Sequence, residues 1–301
     1  MSRMFVAALA AATITFAPAL AEPDWKAVGQ ALGKEGTVQP GGIYRVGLPR
    51  SDLKVTLDGV EIKPALALGS WLAFQPMGDK DAMVMGDLVL THEEVNPVMK
   101  TLVENGLEIT ALHNHLLRSE PATMYMHVGG HGDAVKLATA LREALGKSRT
   151  PLGGGTAASS QPPAASADQK LDLDTAVIDQ ALGRKGKVNG GVYQVSIPRA
   201  EAIKDKGMEV PEAMGSAIAI NFQPTGARKA AITGDFVLTA EEVNPVLRAL
   251  REHGIEVTAL HNHMLSDEPR LFFMHFWAND DTAKLAKGLQ AALQHVKVAK
   301  G

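Results

Sequence analysis

Leu107-Glu108-Ile109-Thr110-Ala111-Leu112-His113-Asn114-His115-Leu116-Leu117 is the stretch that decides how this chain is built. Leu107, Ile109, Ala111, His113 and His115 hold the odd positions; Glu108, Thr110, Leu112 and Asn114 hold the even ones. Side chains of a strand alternate between its faces, so the pattern predicts one strand over 107–117 with both histidines on the more apolar face. The stretch recurs at 255–265 as Ile255-Glu256-Val257-Thr258-Ala259-Leu260-His261-Asn262-His263-Met264-Leu265. A third histidine follows each copy at the same distance, His127 and His275. Six of the ten histidines therefore lie in a twofold constellation.

The repeat extends outward from there. Between Gly86–His127 and Gly234–His275, 26 of 42 aligned positions are identical. Before the histidine strand, Thr91 and Glu94, like Thr239 and Glu242, have the spacing of a capping box and predict a helix from about residue 92, bent near Pro97. Apolar stripes predict a further helix at 25–36 and another at 133–145, with partners at 175–186 and in the second half. The runs 43–48, 71–76 and 83–90 read as strands, and Asp58-Gly59 within 55–62 reads as a hairpin turn. Gly86 and Gly234 inside strands predict a bulge or a close backbone approach. The fold class expected is α+β: two tandem homologous domains, each a mainly antiparallel sheet with about three helices.

Residues 24–147 form the first expected domain and 172–298 the second. Between them, 148–171 is rich in Gly, Pro, Ala, Ser and Gln and predicts a flexible linker. The two copies could pack as a pseudo-dimer, like a fused homodimer, or hang as beads on that linker. Residues 1–21 read as a signal peptide: Arg3, an apolar run from Phe5 to Phe16, then Ala19-Leu20-Ala21 ahead of Glu22. A periplasmic or secreted protein is expected, with no membrane span once the signal is removed. Cysteine is absent, so neither a disulfide nor a lipid-anchor acceptor is available. The formal charge is −3 with no basic block, which argues against nucleic acid as a partner.

Chemistry concentrates on the histidines. If the turn after the strand centres on Glu120, antiparallel pairing sets His127 opposite His113, and the three rings of one repeat converge. Neutral imidazole is a ligand for zinc and copper, and three histidines with an open position can hold a catalytic zinc. His113, His115 and His127, and again His261, His263 and His275, are thus one candidate metal site per repeat. Glu120 and Glu268 at the turn are candidates for a fourth ligand or a general base; Asp87 and Asp235 beside the strand glycines are alternatives. His92 and His131 face Ala240 and Asn279 in the second half and read as surface residues. Met83, Met85, Met124 and Met126 are better explained by packing than by copper(I), and Gln75 and Gln223 could bond a ligand. No phosphate loop, nucleophile elbow or HExxH is found.

The run GDLVLTHEEVNPVMKTLVENGLEITALHNHLL followed by MYMHV resembles the LppY/LpqO family of exported bacterial proteins, as does GDFVLTAEEVNPVLRALREHGIEVTALHNHML followed by FFMHFW. The resemblance covers both domains and implies an exported location, but no activity. This chain lacks the cysteine that would make a lipoprotein. Three functions remain open: a transition-metal binder using zinc or copper, a metal-dependent hydrolase, or a metal-free binder of a small envelope ligand.

Overall fold

The computed structural model describes residues 22–152 and 171–300. The expected signal segment and residues 153–170 of the expected linker lie outside them. Each half carries a six-stranded antiparallel sheet. In the first the order is Thr37–Gln39, Ile43–Pro49, Gly69–Pro76, Asp81–Thr91, Thr123–Asp133, Glu108–His113. The second sheet repeats it with Lys187–Asn189, Val192–Ile197, Ile218–Gly226, Lys229–Leu238, Phe272–Asp281 and Glu256–His261. In both, the histidine strand is an edge strand.

Three helices serve each sheet: Trp25–Leu32, His92–Glu104 and Ala134–Leu145 in the first half, Thr175–Leu182, Ala240–Glu252 and Thr282–Leu293 in the second. Both capping boxes form, with Glu94 and Glu242 accepting from the backbone of Thr91 and Thr239. Pro97 and Pro245 sit inside helices that remain continuous across them. The helices cover one face of the sheet. Val84, Leu88, Leu90, Met126 and Val128 point to it and pack on Val98, Leu102, Leu141 and Leu145. The intervening residues, including Met85, Asp87, Tyr125 and His127, point to the other face.

Gly86 makes a close approach without a bulge. A side chain there would meet the Trp71 carbonyl oxygen at 2.7 Å, and at Gly234 the Ala219 oxygen at 1.9 Å. The Asp58-Gly59 turn forms as expected, with φ of 48° and 80°. Lys206-Gly207, at the equivalent place in the second half, has the same backbone at 50° and 80°.

The helix-free faces carry contacts between the halves. Lys63 N donates to Gln223 Oε1 at 2.9 Å, Gln223 Nε2 to the Glu61 carbonyl at 2.8 Å, and Gln194 Nε2 to the Ala65 carbonyl at 2.8 Å. Gln223 is therefore a brace between the halves rather than a ligand contact. Val89, Leu116 and Tyr125 share an apolar cluster with Ala231 and Trp277. Ser148–Leu152, at the start of the expected linker, lie against the first half: Arg149 N donates to Glu94 Oε1 at 2.8 Å and Leu152 packs on its core. Among the described residues no helix is long and apolar enough to cross a membrane.

Candidate metal centre

The histidine strands are shorter than their alternation suggests, and a bulge inside them changes which face each residue takes. Ile109 pairs with Val128 and Ala111 with His127, leaving Thr110 as an extra residue; Thr258 is the extra residue in the second half. One inserted residue reverses the alternation. Leu107 and Ile109 consequently face the helices, while Ala111 and His113 face away from them. The strand ends at His113, and His115 lies in the bend beyond it. Tyr125, not His127, stands opposite His113; His127 pairs with Ala111 on one side and Asp87 on the other. The connection 114–122 is no tight hairpin, so centring a turn on Glu120 does not set this register.

The six rings meet at one place. His113 stacks on His261 with centroids 3.4 Å apart, His115 on His275 at 3.6 Å, and His127 on His263 at 3.7 Å. Every one of these closest pairs joins the two halves. Four groups of ligand atoms lie within 4.8 Å of one another: His113/His115/His261/His275, His113/His127/His263, Asp87/His115/His127 and Asp235/His263/His275. None contains His113, His115 and His127 together, nor His261, His263 and His275. The expectation of one independent three-histidine site per repeat is corrected to a shared cluster. Tyr125 and Phe273 close its flanks, stacked at 3.4 Å on His115 and His263.

The ring nitrogens are placed so that they could hold a metal ion. The Nε2 atoms of all six histidines are buried and have no hydrogen-bond partner among the described residues. On the opposite side of the ring, His113 Nδ1 lies 3.3 Å from the Asn114 carbonyl, His261 Nδ1 3.2 Å from that of Asn262, and His275 Nδ1 2.8 Å from that of Gly234. A carbonyl accepts only from N–H, so these three rings keep the proton on Nδ1 and leave the Nε2 lone pair free, the tautomer a metal needs. Burying six Nε2 atoms unsatisfied is costly.

Two carboxylates complete the cluster. Asp87 lies 3.9 Å from Nε2 of both His115 and His127; Asp235 lies 3.7 Å from Nε2 of His263 and 3.9 Å from that of His275. Asp87 Oδ1 and Asp235 Oδ1 also lack partners among the described residues. Burial pushes Asp87 up to about 8, against the pull of the Arg45 guanidinium, and raises Asp235 well above the usual carboxylate range, with help from the charge of Asp87. Burial lowers His113 to about 3, reinforced by His261, and His261 to about 4; the other four fall well below the usual imidazole range for the same reason. The rings are neutral, hence ligand-competent, at any ordinary pH. Buried carboxylates facing neutral imidazoles suit a bound cation better than protein alone.

Arg45 lies over the Trp71 ring at 4.1 Å and donates to the Ala213 carbonyl. It has no equivalent in the second half, where Gln194 stands. An open cleft lined in part by Arg45, Asp87, His115, His127, Asp235 and His275 leads to the cluster.

Glu120 and Glu268 lie elsewhere. Both are exposed; Glu120 pairs through its backbone with Thr56, and Glu268 pairs with Lys204. Neither belongs to a group of ligand atoms, and Asp87 and Asp235 are the acids at the rings. His92 and His131 are exposed. Met83, Met124 and Met126 pack in apolar clusters on both sides of the sheet, so the methionines do not assemble as a set.

The arrangement is that of a duplicated α+β protein with a histidine-carboxylate cluster to which both copies contribute. The chain belongs to the family described as Domain of Unknown Function (DUF1259), whose model matches residues 26–147 and 176–295. No curated protein matches. Among solved structures the chain has a weak likeness to a trimeric bacterial microcompartment shell protein, PduB, at 12% identity, covering 87% of this chain and 89% of that one with a TM-score of 0.20. EtuB from Clostridium kluyveri is similar at 8% identity, covering 86% and 88%, also with a TM-score of 0.20. Likenesses at that score carry no argument.

Proposed function

We propose that this protein binds a transition metal, zinc or copper, at a single centre built by His113, His115, His127, His261, His263 and His275 with Asp87 and Asp235, the two halves packing as a fused pseudo-dimer around it. The observation that carries this reading is the set of six buried Nε2 atoms without partners, gathered in one place beside the buried Asp87 and the half-buried Asp235. Imidazole suits zinc and copper, and no thiolate competes. The protein acts as an exported metal binder or carrier. Location in the periplasm or outside the cell rests on residues 1–21, and the likeness to LppY/LpqO proteins supports it.

A second reading, a metal-dependent hydrolase, is favoured by the cleft that reaches the donors and would leave a coordination position open to water. Glu120 and Glu268 stand outside the groups of ligand atoms, so Asp87 or Asp235 would take that role.

Elemental analysis of tag-free protein tests the main reading. Bound zinc or copper, lost on substitution of His113 and His115 by alanine, supports it. Protein that carries no metal and takes up none tightly on titration overturns it, and leaves a metal-free polar pocket.

A further inference from the structure

Four donor gaps in the cluster are nearly equal. Asp87 to His115, Asp87 to His127 and Asp235 to His275 each measure 3.9 Å, and Asp235 to His263 measures 3.7 Å. A charge-assisted hydrogen bond between such groups would close to about 2.7–2.9 Å. Two ligands on one ion behave differently: with metal–ligand bonds of about 2.0–2.1 Å, donors stand about 3.3 Å apart at a tetrahedral angle and about 4.1 Å apart across the ion. The observed gaps fall inside that range. They occur twice, once per repeat, in the same residue types: one aspartate and two histidines.

We propose that the centre is binuclear: one divalent transition-metal ion held by Asp87, His115 and His127, and a second by Asp235, His263 and His275. This rests on the metal-binding reading above. His113 and His261 stand between the two sets. His113 shares one group of ligand atoms with His115, His261 and His275, and another with His127 and His263, so it is within reach of either ion.

The two sets lie against each other, because His115 stacks on His275 and His127 on His263. Their ions would be close neighbours, as in two-metal sites whose ions are about 3.5–4 Å apart. Charge fits two ions as well as geometry does. Asp87 and Asp235 each acquire a cation, and the six rings contribute no charge of their own. Each ion has three donors from its own repeat and a histidine beside it, which leaves room for a ligand from the cleft.

The test uses the full chain without an affinity tag, loaded with zinc, freed of excess, and read by native mass spectrometry and elemental analysis. Two zinc ions per chain are expected in the wild type, and one each in Asp87→Asn and Asp235→Asn. His115→Ala, which removes a donor of the first set, repeats the measurement if Asp87→Asn does not fold. One zinc per chain in the wild type overturns the binuclear assignment and leaves the single-centre reading standing. No zinc at all overturns both. A folded single variant that keeps both ions, or loses both, overturns the assignment of one ion to each set.

Discussion

His113 and His261 occupy equivalent places in the two repeats and stack ring on ring, with 3.4 Å between their centroids. Each is the last residue of an edge strand, so the two sheets bring their edges together at this pair. Both repeats thus contribute rings to the middle of the cluster, where His113 lies within reach of ligand atoms from either half.

His113→Ala and His261→Ala should therefore weaken metal binding alike, each by more than the roughly 10–100-fold typical of residues that merely orient a ligand. Titration with zinc against a competing chelator checks this. Were the sites independent, either variant would keep full affinity for half of the metal.

The metal-free protein should show a stability optimum near pH 6.5. The histidines have folded pKa values depressed by burial, to about 3 for His113 and about 4 for His261. Their contribution is full above the unfolded value of about 6.5 and is lost as pH falls. Asp87 has the opposite sign: raised to about 8, it contributes fully below about 4 and loses that contribution as pH rises through 8. Six histidines outweigh two aspartates between pH 4 and 6.5, each group adding at most about 1.4 kcal/mol per pH unit. Thermal melts in chelator across pH 4–8 should rise to that optimum and then decline. A monotonic fall from pH 4 upward would contradict the burial of the rings.

Gln223→Ala should loosen the junction between the halves. Gln223 is buried and bonded at both ends to the hairpin of the other half. Removing it leaves Lys63 N and the Glu61 carbonyl without those bonds, at a cost of about 1–3 kcal/mol. Its equivalent, Gln75, has a buried Oε1 with no partner among the described residues, so Gln75→Ala should cost less. Chemical denaturation of the two variants makes the comparison.

Much of each domain was legible in the sequence because its signals are local. The capping residues, the Asp-Gly turn, the stripes of the helices and the identity of the two copies all depend on near neighbours. The histidine site was legible in composition and not in arrangement. Thr110 carries no mark of a bulge, yet that one residue decides that Ile109 and His113 face opposite ways. The pairing of His127 with Asp87 depends on a strand that enters from before the intervening helix. The merging of the two sites depends on contacts between the halves, such as Thr258 Oγ1 donating to the His115 carbonyl at 2.6 Å. No periodicity within one repeat encodes that.

Arg50 and Glu94 mark a duplicated feature that belongs to the fold alone. Fully buried, Arg50 donates to Glu94 at 2.8 Å and to the Val89 carbonyl at 2.6 Å; Arg199 does the same with Glu242 and Val237. Arg50→Met should cost about 3–5 kcal/mol of stability, because Glu94 is left buried without its cation; Glu94→Gln should cost less, because Asp52 still pairs with Arg50 at 2.8 Å. The folded fraction should still bind its full complement of zinc. A large loss of stability without loss of metal stoichiometry, read by melts and elemental analysis, separates scaffold from site.

The most direct test of a shared metal centre is anomalous diffraction at the zinc absorption edge from crystals of the full chain grown with zinc. The account predicts strong density among the six Nε2 atoms, between His113 and His261 and the two aspartates. Zinc found only on the surface, or away from these six rings, would contradict it.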